Sequence, residues 1–127
     1  MNIIEIIKED YARFPIDPAY NIYAENVYFE DPLNKFHGLK KYKKMIKTIT
    51  TYFEKIKLDL HDIKKNEQLI DTQWTLSMTF ILLPWKPRLS ISGRSELKLD
   101  NENLIMSHID YWNCSIFDVL KQVFIKS

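Results

Sequence analysis

The sequence predicts an α+β fold: N-terminal helices packed on one face of a strongly curved antiparallel sheet. Three observations predict it. Apolar residues recur at helical spacing through the first half of the chain and at alternate positions through the second. The order is helices first and strands after, which segregates the two kinds of element. The alternating runs are about a dozen residues long, and strands of that length coil, so helices capping them leave a cone with a hollow end. With 127 residues the chain has room for one core, and it is treated as a single domain over 1–127.

Ile3, Ile6, Ile7, Tyr11 and Phe14 share one side of a first helix over about 2–13. Glu5 and Lys8 interrupt its apolar run, so it reads as amphipathic and not as a signal h-region. Pro15 ends it. Asp17-Pro18 reads as an N-cap followed by Pro at the first helical position, opening a short helix to about Tyr23. A strand over Val27–Glu30 stops at Asp31-Pro32. Gly38 opens a long helix whose stripe is Leu39, Tyr42, Met45, Ile46, Ile49, Tyr52, Phe53 and Ile56. Lys40, Lys41, Lys43, Lys44 and Lys47 lie mostly on its other face.

The period then changes from 3.6 to 2. Leu58 and Leu60 alternate with polar residues, and Ile70, Thr72, Trp74, Leu76, Met78, Phe80 and Leu82 form an even-numbered series. Pro84-Trp85-Lys86-Pro87 turns the chain. Leu89, Ile91, Gly93, Ser95, Leu97 and Leu99 alternate against Arg88, Ser90, Ser92, Arg94, Glu96 and Lys98. Residues 100–103 turn again, Leu104 to Trp112 form the last strand, and Phe117, Val119, Leu120 and Phe124 mark a short C-terminal helix.

Composition excludes several classes. Eighteen basic residues balance 17 acidic ones, a net charge of +1, so no global charge marks a nucleic-acid or membrane-surface protein. The lysine-rich helix face lacks interleaved exposed aromatics for stacking bases, so it reads as solvated. The longest apolar stretch, FILLPW, is too short to span a bilayer. Cys114 is the single cysteine: it cannot form an internal disulfide, no Cys/His cluster has zinc spacing, and it reads as an inert thiol. We therefore expect no metal and no cofactor. Fifteen Lys against 3 Arg, with 17 Ile, 8 Asn and 2 Gly, is the residue usage of an AT-rich genome.

The segments YAENVYFEDPLNKFHGLKKYKKMI and LIMSHIDYWNCSIFDVLKQV carry a resemblance. The first is similar to the early signature of the nuclear transport factor 2-like superfamily, a strand ending in "DP" followed by a Gly that opens a helix. The second resembles its closing strand, especially in SnoaL-like polyketide cyclases. WTLSMTF, LPWKPRLSISGRSELKL and SHIDYW resemble, more narrowly, an uncharacterised family of cyanobacteria, algal plastids and plants. The resemblance implies the cone-shaped fold and, with the AT-rich usage, a plastid stroma or a cyanobacterial cytoplasm. It does not fix a reaction, because this fold carries isomerases, dehydratases, cyclases and binding modules alike.

Against ketosteroid isomerases of the superfamily, Asp31 of Glu30-Asp31-Pro32 falls on the carboxylate that moves the proton. A carboxylate at the mouth of an apolar cone has a raised pKa and can shuttle a proton. The competing reading, which we weight more, is a strand terminator bonded to nearby backbone N–H groups. Tyr11 falls near the isomerases' oxyanion donor, though a core tyrosine is the preferred reading. Ser95 stands where they carry a second acid, which counts against ketosteroid isomerisation. His108, Asp110 and Trp112 share one face of the last strand by period 2, and the same alignment makes that face the concave one. His108 and Asp110 could share a proton or orient a ligand; the competing reading is a polar pair bonding across the cone. His37 sits at the rim of the Asp31 loop, and His61 reads as surface. Arg94 lies on the convex face, and Trp85, between two prolines, is a rigid candidate for an interface.

Two functional readings follow. The first is a non-enzymatic module that binds a small hydrophobic ligand in a pocket lined by Tyr11, Asp31, Trp74, Ser95, His108, Asp110 and Trp112, or docks a protein or a second copy through the sheet face, Arg94 and Trp85. The second is a lyase, isomerase or cyclase acting on a small hydrophobic carbonyl compound, with Asp31 or the His108–Asp110 pair as general acid and base.

Overall fold

Asn2 caps the first helix, α1 (Ile3–Arg13), by accepting the Glu5 N–H at 2.9 Å. These features come from a computed structural model that describes residues 2–125. Ile7 and Tyr11 are the buried residues of α1. The short helix expected from Asp17 shrinks to one 3₁₀ turn at Tyr20–Ile22. The reason lies in α1: Asp10 accepts the Ala19 N–H at 2.8 Å, an N–H that a capping Asp17 would have served, and Asp17 itself takes φ +48°.

The strands follow as β1 (Tyr23–Glu30), β2 (Lys35–His37), β3 (Phe53–Asn66), β4 (Leu69–Phe80), β5 (Arg88–Leu99) and β6 (Ile105–Trp112). They form one open sheet in the order β2-β1-β6-β5-β4-β3. The sheet is mixed rather than wholly antiparallel, because β6 runs parallel to β1, with Phe29 opposite His108 and Glu30 opposite Ile109. The pair joins segments far apart in the chain, so no local pattern announces it.

Helix α2 (Leu39–Tyr52) stops before Phe53 and Ile56, which the helical stripe had included. Its last turns, Thr48-Ile49-Thr50-Thr51-Tyr52-Phe53, are β-branched or aromatic and poor at sustaining a helix. Phe53 instead pairs with Phe80 across β3 and β4. Tyr42 and Ile46 bury against the sheet, while Lys40, Lys41, Lys43, Lys44 and Lys47 stay exposed. A bulge after Glu54 bends β3, with Lys55 at φ +51°. Arg88 holds the bend by donating to the Lys55 carbonyl at 2.8 Å and to Thr79 Oγ1 at 3.0 Å.

On β5 the alternation is complete. Leu89, Ile91, Gly93, Ser95, Leu97 and Leu99 are buried on the concave face, and Arg88, Ser90, Ser92, Arg94 and Lys98 are exposed on the other. α1, α2 and the final helix α3 (Ile116–Phe124) border the concave face, where Ile7, Val27, Phe29, Ile46, Ile70, Leu97 and Ile105 form the core. α3 begins with a reciprocal capping box between Ser115 and Asp118. No helix among the described residues is long and apolar enough to cross a membrane.

Candidate functional site

Inside the cone lies a cavity of about 270 Å³. Apolar and aromatic side chains make most of its wall, including Phe14, Phe29, Tyr42, Leu76, Met78, Leu89 and Ile91. Tyr11, Asp31, Trp74, Ser95, His108, Asp110 and Trp112 all line it, brought together from α1, the β1–β2 loop, β4, β5 and β6.

Register sets the polar floor. Ser95 pairs with Thr72 on one side and with Asp110 on the other, while Gly93 sits between Trp74 and Trp112. A Cβ on Gly93 would stand 2.4 Å from the Tyr111 carbonyl oxygen and 3.1 Å from the Trp74 ring, so the missing side chain is what lets the two strands and the indole approach. Trp74 Nε1 donates to Ser95 Oγ at 2.8 Å. Ser95 Oγ donates to Asp110 Oδ1 at 2.5 Å, and His108 Nε2 lies 2.7 Å from the same oxygen. Tyr23 Oη stands 3.4 Å from His108 Nδ1 and 3.3 Å from Tyr42 Oη. The imidazole is walled by the rings of Phe29, Tyr42 and Tyr23, at centroid distances of 4.9, 5.9 and 6.2 Å. His108 and Asp110 thus belong to one chain of hydrogen bonds running from Tyr42 to Trp74.

No buried side-chain polar atom among the described residues lacks a partner. Asp110 Oδ2 has none, so it is open, on a side chain that is 18% exposed and forms part of the cavity wall.

Asp31 is placed differently. Its Oδ1 accepts the backbone N–H groups of Leu33 at 2.8 Å and Asn34 at 2.6 Å, and both its oxygens lie 3.1 Å from Asn34 Nδ2. It fixes the loop between β1 and β2 while forming part of the cavity wall. Burial raises its pKa above 3.8 in spite of those bonds. Tyr11 Oη is 3.0 Å from Thr72 Oγ1, and burial drives its phenol well above its ordinary value.

Several wall residues escaped sequence reasoning, Asp10, Tyr42 and Tyr23 among them. Asp10, raised by burial, faces the cavity beside Tyr11. Its one signal was its place next to Tyr11 on the helix. Tyr42 looked like any member of the α2 stripe. Tyr23 precedes a register shift in β1 that breaks the alternation, with Tyr23 and Ala24 both buried.

His37 and His61 lie outside the cavity wall, and both are exposed. Arg94 reaches Glu96 at 3.5 Å and Asp71 at 3.8 Å and stacks over Tyr111 at 4.3 Å, all on the convex face. Trp85 is 37% exposed and donates its indole N–H to the Val123 carbonyl at 3.0 Å, which ties its loop to α3. Cys114 packs beside the core, and burial raises its thiol pKa. Among the described residues no group of His, Cys, Asp and Glu side chains is arranged to hold a metal ion.

The sequence model of a family described as uncharacterized conserved protein (DUF2358) matches residues 1–108, which takes in His108 and stops short of Asp110. No curated protein matches the chain. Solved structures do, at low identity. An NTF2-like protein of unknown function from Burkholderia pseudomallei superposes with a TM-score of 0.79 at 12% identity, over 96% of this chain and 97% of its own. A putative SnoaL-like polyketide cyclase from Jannaschia does so at 0.78 and 8%, over 98% and 92%. A hypothetical protein with a ketosteroid isomerase-like fold from Catenulispora acidiphila, in complex with trimethylamine, does so at 0.77 and 12%, over 96% and 94%. The fold is the NTF2-like cone.

Proposed function

The chain belongs to the uncharacterized conserved protein family DUF2358, and from that premise we propose that it binds a small, mostly apolar organic molecule inside its cone. One observation carries the reading: the cone is hollow, about 270 Å³ of it, with apolar walls and, on its polar floor, an unpartnered carboxylate oxygen, Asp110 Oδ2. Pockets are built this way, with apolar area for affinity and a few polar atoms for orientation. An apolar cavity of ~150 Å³ already admits benzene, so this one has room for a ring and a short chain. The test is NMR titration of the native protein with ethylbenzene. Saturable shifts should concentrate on the side chains of Met78, Leu89 and Ile91. Shifts elsewhere, or none, overturn the reading.

A second reading, general acid–base catalysis of a lyase, isomerase or cyclase step, is favoured by the same oxygen. Two donors hold Oδ1 and leave Oδ2 as a positioned base. The cyclase title of one structural neighbour shares the fold, not the chemistry. The expected reaction type is loss of water from a β-hydroxy ketone such as 4-hydroxy-4-phenylbutan-2-one, followed by the absorbance of the conjugated enone. Turnover should disappear in Asp110→Asn and persist in Asp31→Asn. A wild-type protein that leaves the ketone untouched sinks this reading and spares the first.

The setting we propose is a plastid or a cyanobacterial cytoplasm, supported by residue usage and by the resemblance of the strand segments; a tagged chain found in another compartment overturns it. A homodimer or partner surface on the convex face would use Arg94 and Tyr111. Light scattering decides the homodimer.

A further inference from the structure

The hydrogens of the network can be assigned in order. Trp74 has only a hydrogen to give, so Ser95 Oγ accepts at 2.8 Å and must send its own hydrogen onward to Asp110 Oδ1 at 2.5 Å. A carboxylate only accepts, so His108 donates from Nε2 to the same oxygen at 2.7 Å. In the neutral imidazole Nδ1 is then the acceptor, facing the Tyr23 hydroxyl at 3.4 Å, and the Tyr23 oxygen takes the Tyr42 hydrogen at 3.3 Å. Every hydrogen in the network is spent within it and runs towards Asp110. What the floor turns to the cavity is the lone pairs of Asp110 Oδ2.

The other carboxylates of the wall accept as well. Asp31 uses its oxygens as acceptors from its own loop, and Asp10 accepts from Ala19. Among the described residues the wall contains no lysine and no arginine. Trp112 Nε1–H has no acceptor among the described residues, and the ketone arm of the test below reports on it.

Resting on the reading of the cone as a small-molecule site, we infer that its ligand is a hydrogen-bond donor: an alcohol or an ammonium group on an apolar body, its hydrogen given to Asp110 Oδ2. A ligand with only an acceptor, such as a simple ketone, meets an oxygen it cannot bond. His108 is the positioning residue, held as the Nε2–H tautomer. A site built to bond one hydrogen rejects an analogue lacking it far more strongly than a purely apolar pocket separates neighbours in size.

Four probes of one size test this by calorimetry on the full chain: 2-phenylethanol, 2-phenylethylammonium, acetophenone and ethylbenzene. The alcohol and the ammonium should each bind at least tenfold more tightly than acetophenone, which should match ethylbenzene within about threefold. In Asp110→Asn, Ser95 and His108 claim the amide oxygen, the NH₂ group faces the cavity, and the order should invert in favour of acetophenone. The ¹⁵N shifts of His108 should show Nε2 protonated and Nδ1 bare, a readout that needs no variant to fold. Acetophenone binding as tightly as the alcohol, or a proton on Nδ1, overturns the inference and leaves the cavity reading standing. Failure of all four probes to bind overturns both. Preference for the ammonium over the alcohol, or the reverse, identifies which donor the site selects, and either order supports the inference.

Discussion

The side-chain amide of Gln122 pairs with both backbone groups of Ser90, accepting its N–H at 2.7 Å and donating to its carbonyl at 3.1 Å. β6 ends at Trp112, opposite Gly93, so β5 runs past its neighbour and leaves an unpaired edge at Ser90. Gln122 acts there as a one-residue strand. Together with the Trp85–Val123 bond it stitches α3 across the cone, with Val119 on the cavity wall.

Replacing Gln122 by Ala should therefore loosen α3 without disturbing the sheet. Two partly exposed hydrogen bonds are worth about 1 kcal/mol or a little more in total. Hydrogen exchange should show the Ser90 amide losing protection while those of Leu97 and Leu99 keep theirs. An unchanged Ser90 amide would mean that the stitch contributes nothing.

Gly93→Ala should be the more damaging change, although it adds one methyl group. The nearest atom is the Tyr111 backbone oxygen, which cannot swing aside, and the Trp74 ring closes the other direction. Overpacking of this kind costs about 1–3 kcal/mol, and more where backbone must move. Urea unfolding followed by tryptophan fluorescence would measure it. A loss under about 0.5 kcal/mol would show that the β5–β6 pair shifts freely.

Ser95→Ala removes the acceptor of a buried indole N–H, since Trp74 is only 5% exposed. An orphaned buried donor costs about 1–3 kcal/mol. The same change takes one donor from Asp110 Oδ1, so 2-phenylethanol should bind less selectively over acetophenone. Stability and selectivity can be read on the same sample. Wild-type values for both would remove Ser95 from the network.

Much of this site was legible in the sequence, and the exceptions have physical causes. Ser95, His108 and Asp110 fall on the concave face because period-2 alternation survives intact through β5 and through the end of β6. Tyr23 was hidden because the pattern places it at the end of a short helix and starts the strand at Val27, whereas β1 begins at Tyr23 and its register slips before Tyr28. Asp10 was hidden because a carboxylate that bonds a backbone N–H nine residues on leaves no local motif. The parallel β1–β6 pair was hidden because nothing within either strand encodes its direction. The helical stripe overruns the end of α2 because Phe53 and Ile56, in the strand that follows, fall at helical spacing too.

Stability should depend on pH through Asp31. Burial raises its pKa, so the folded state binds this proton more tightly than the unfolded chain does. Stability from this group therefore falls as pH rises through the raised value, and the cost vanishes below the ordinary value of 3.8. Asp31→Asn keeps an oxygen for the Leu33 and Asn34 amides and cannot ionise. The stability of the variant relative to the parent should improve as pH rises from about 3.8 and level off once pH has passed the raised value. A difference that is flat, or moves the other way, would show that the loop's bonds fully offset the burial.

The parallel seam between β1 and β6 also governs when the protein becomes competent. β6 lies between β1 and β5, and it sets Ile105 beside Tyr23, a separation of most of the chain. Such long-range closure raises contact order and slows folding. On a ribosome, α1, α2 and the β3–β5 meander can collapse around a cone that still lacks His108 and Asp110. The imidazole and carboxylate of the polar floor arrive only with the final strand, which pairs with both β1 and β5. An occupied cone is therefore a report that the last seam has closed, and a nascent chain short of residue 105 has walls but no floor to hold a ligand.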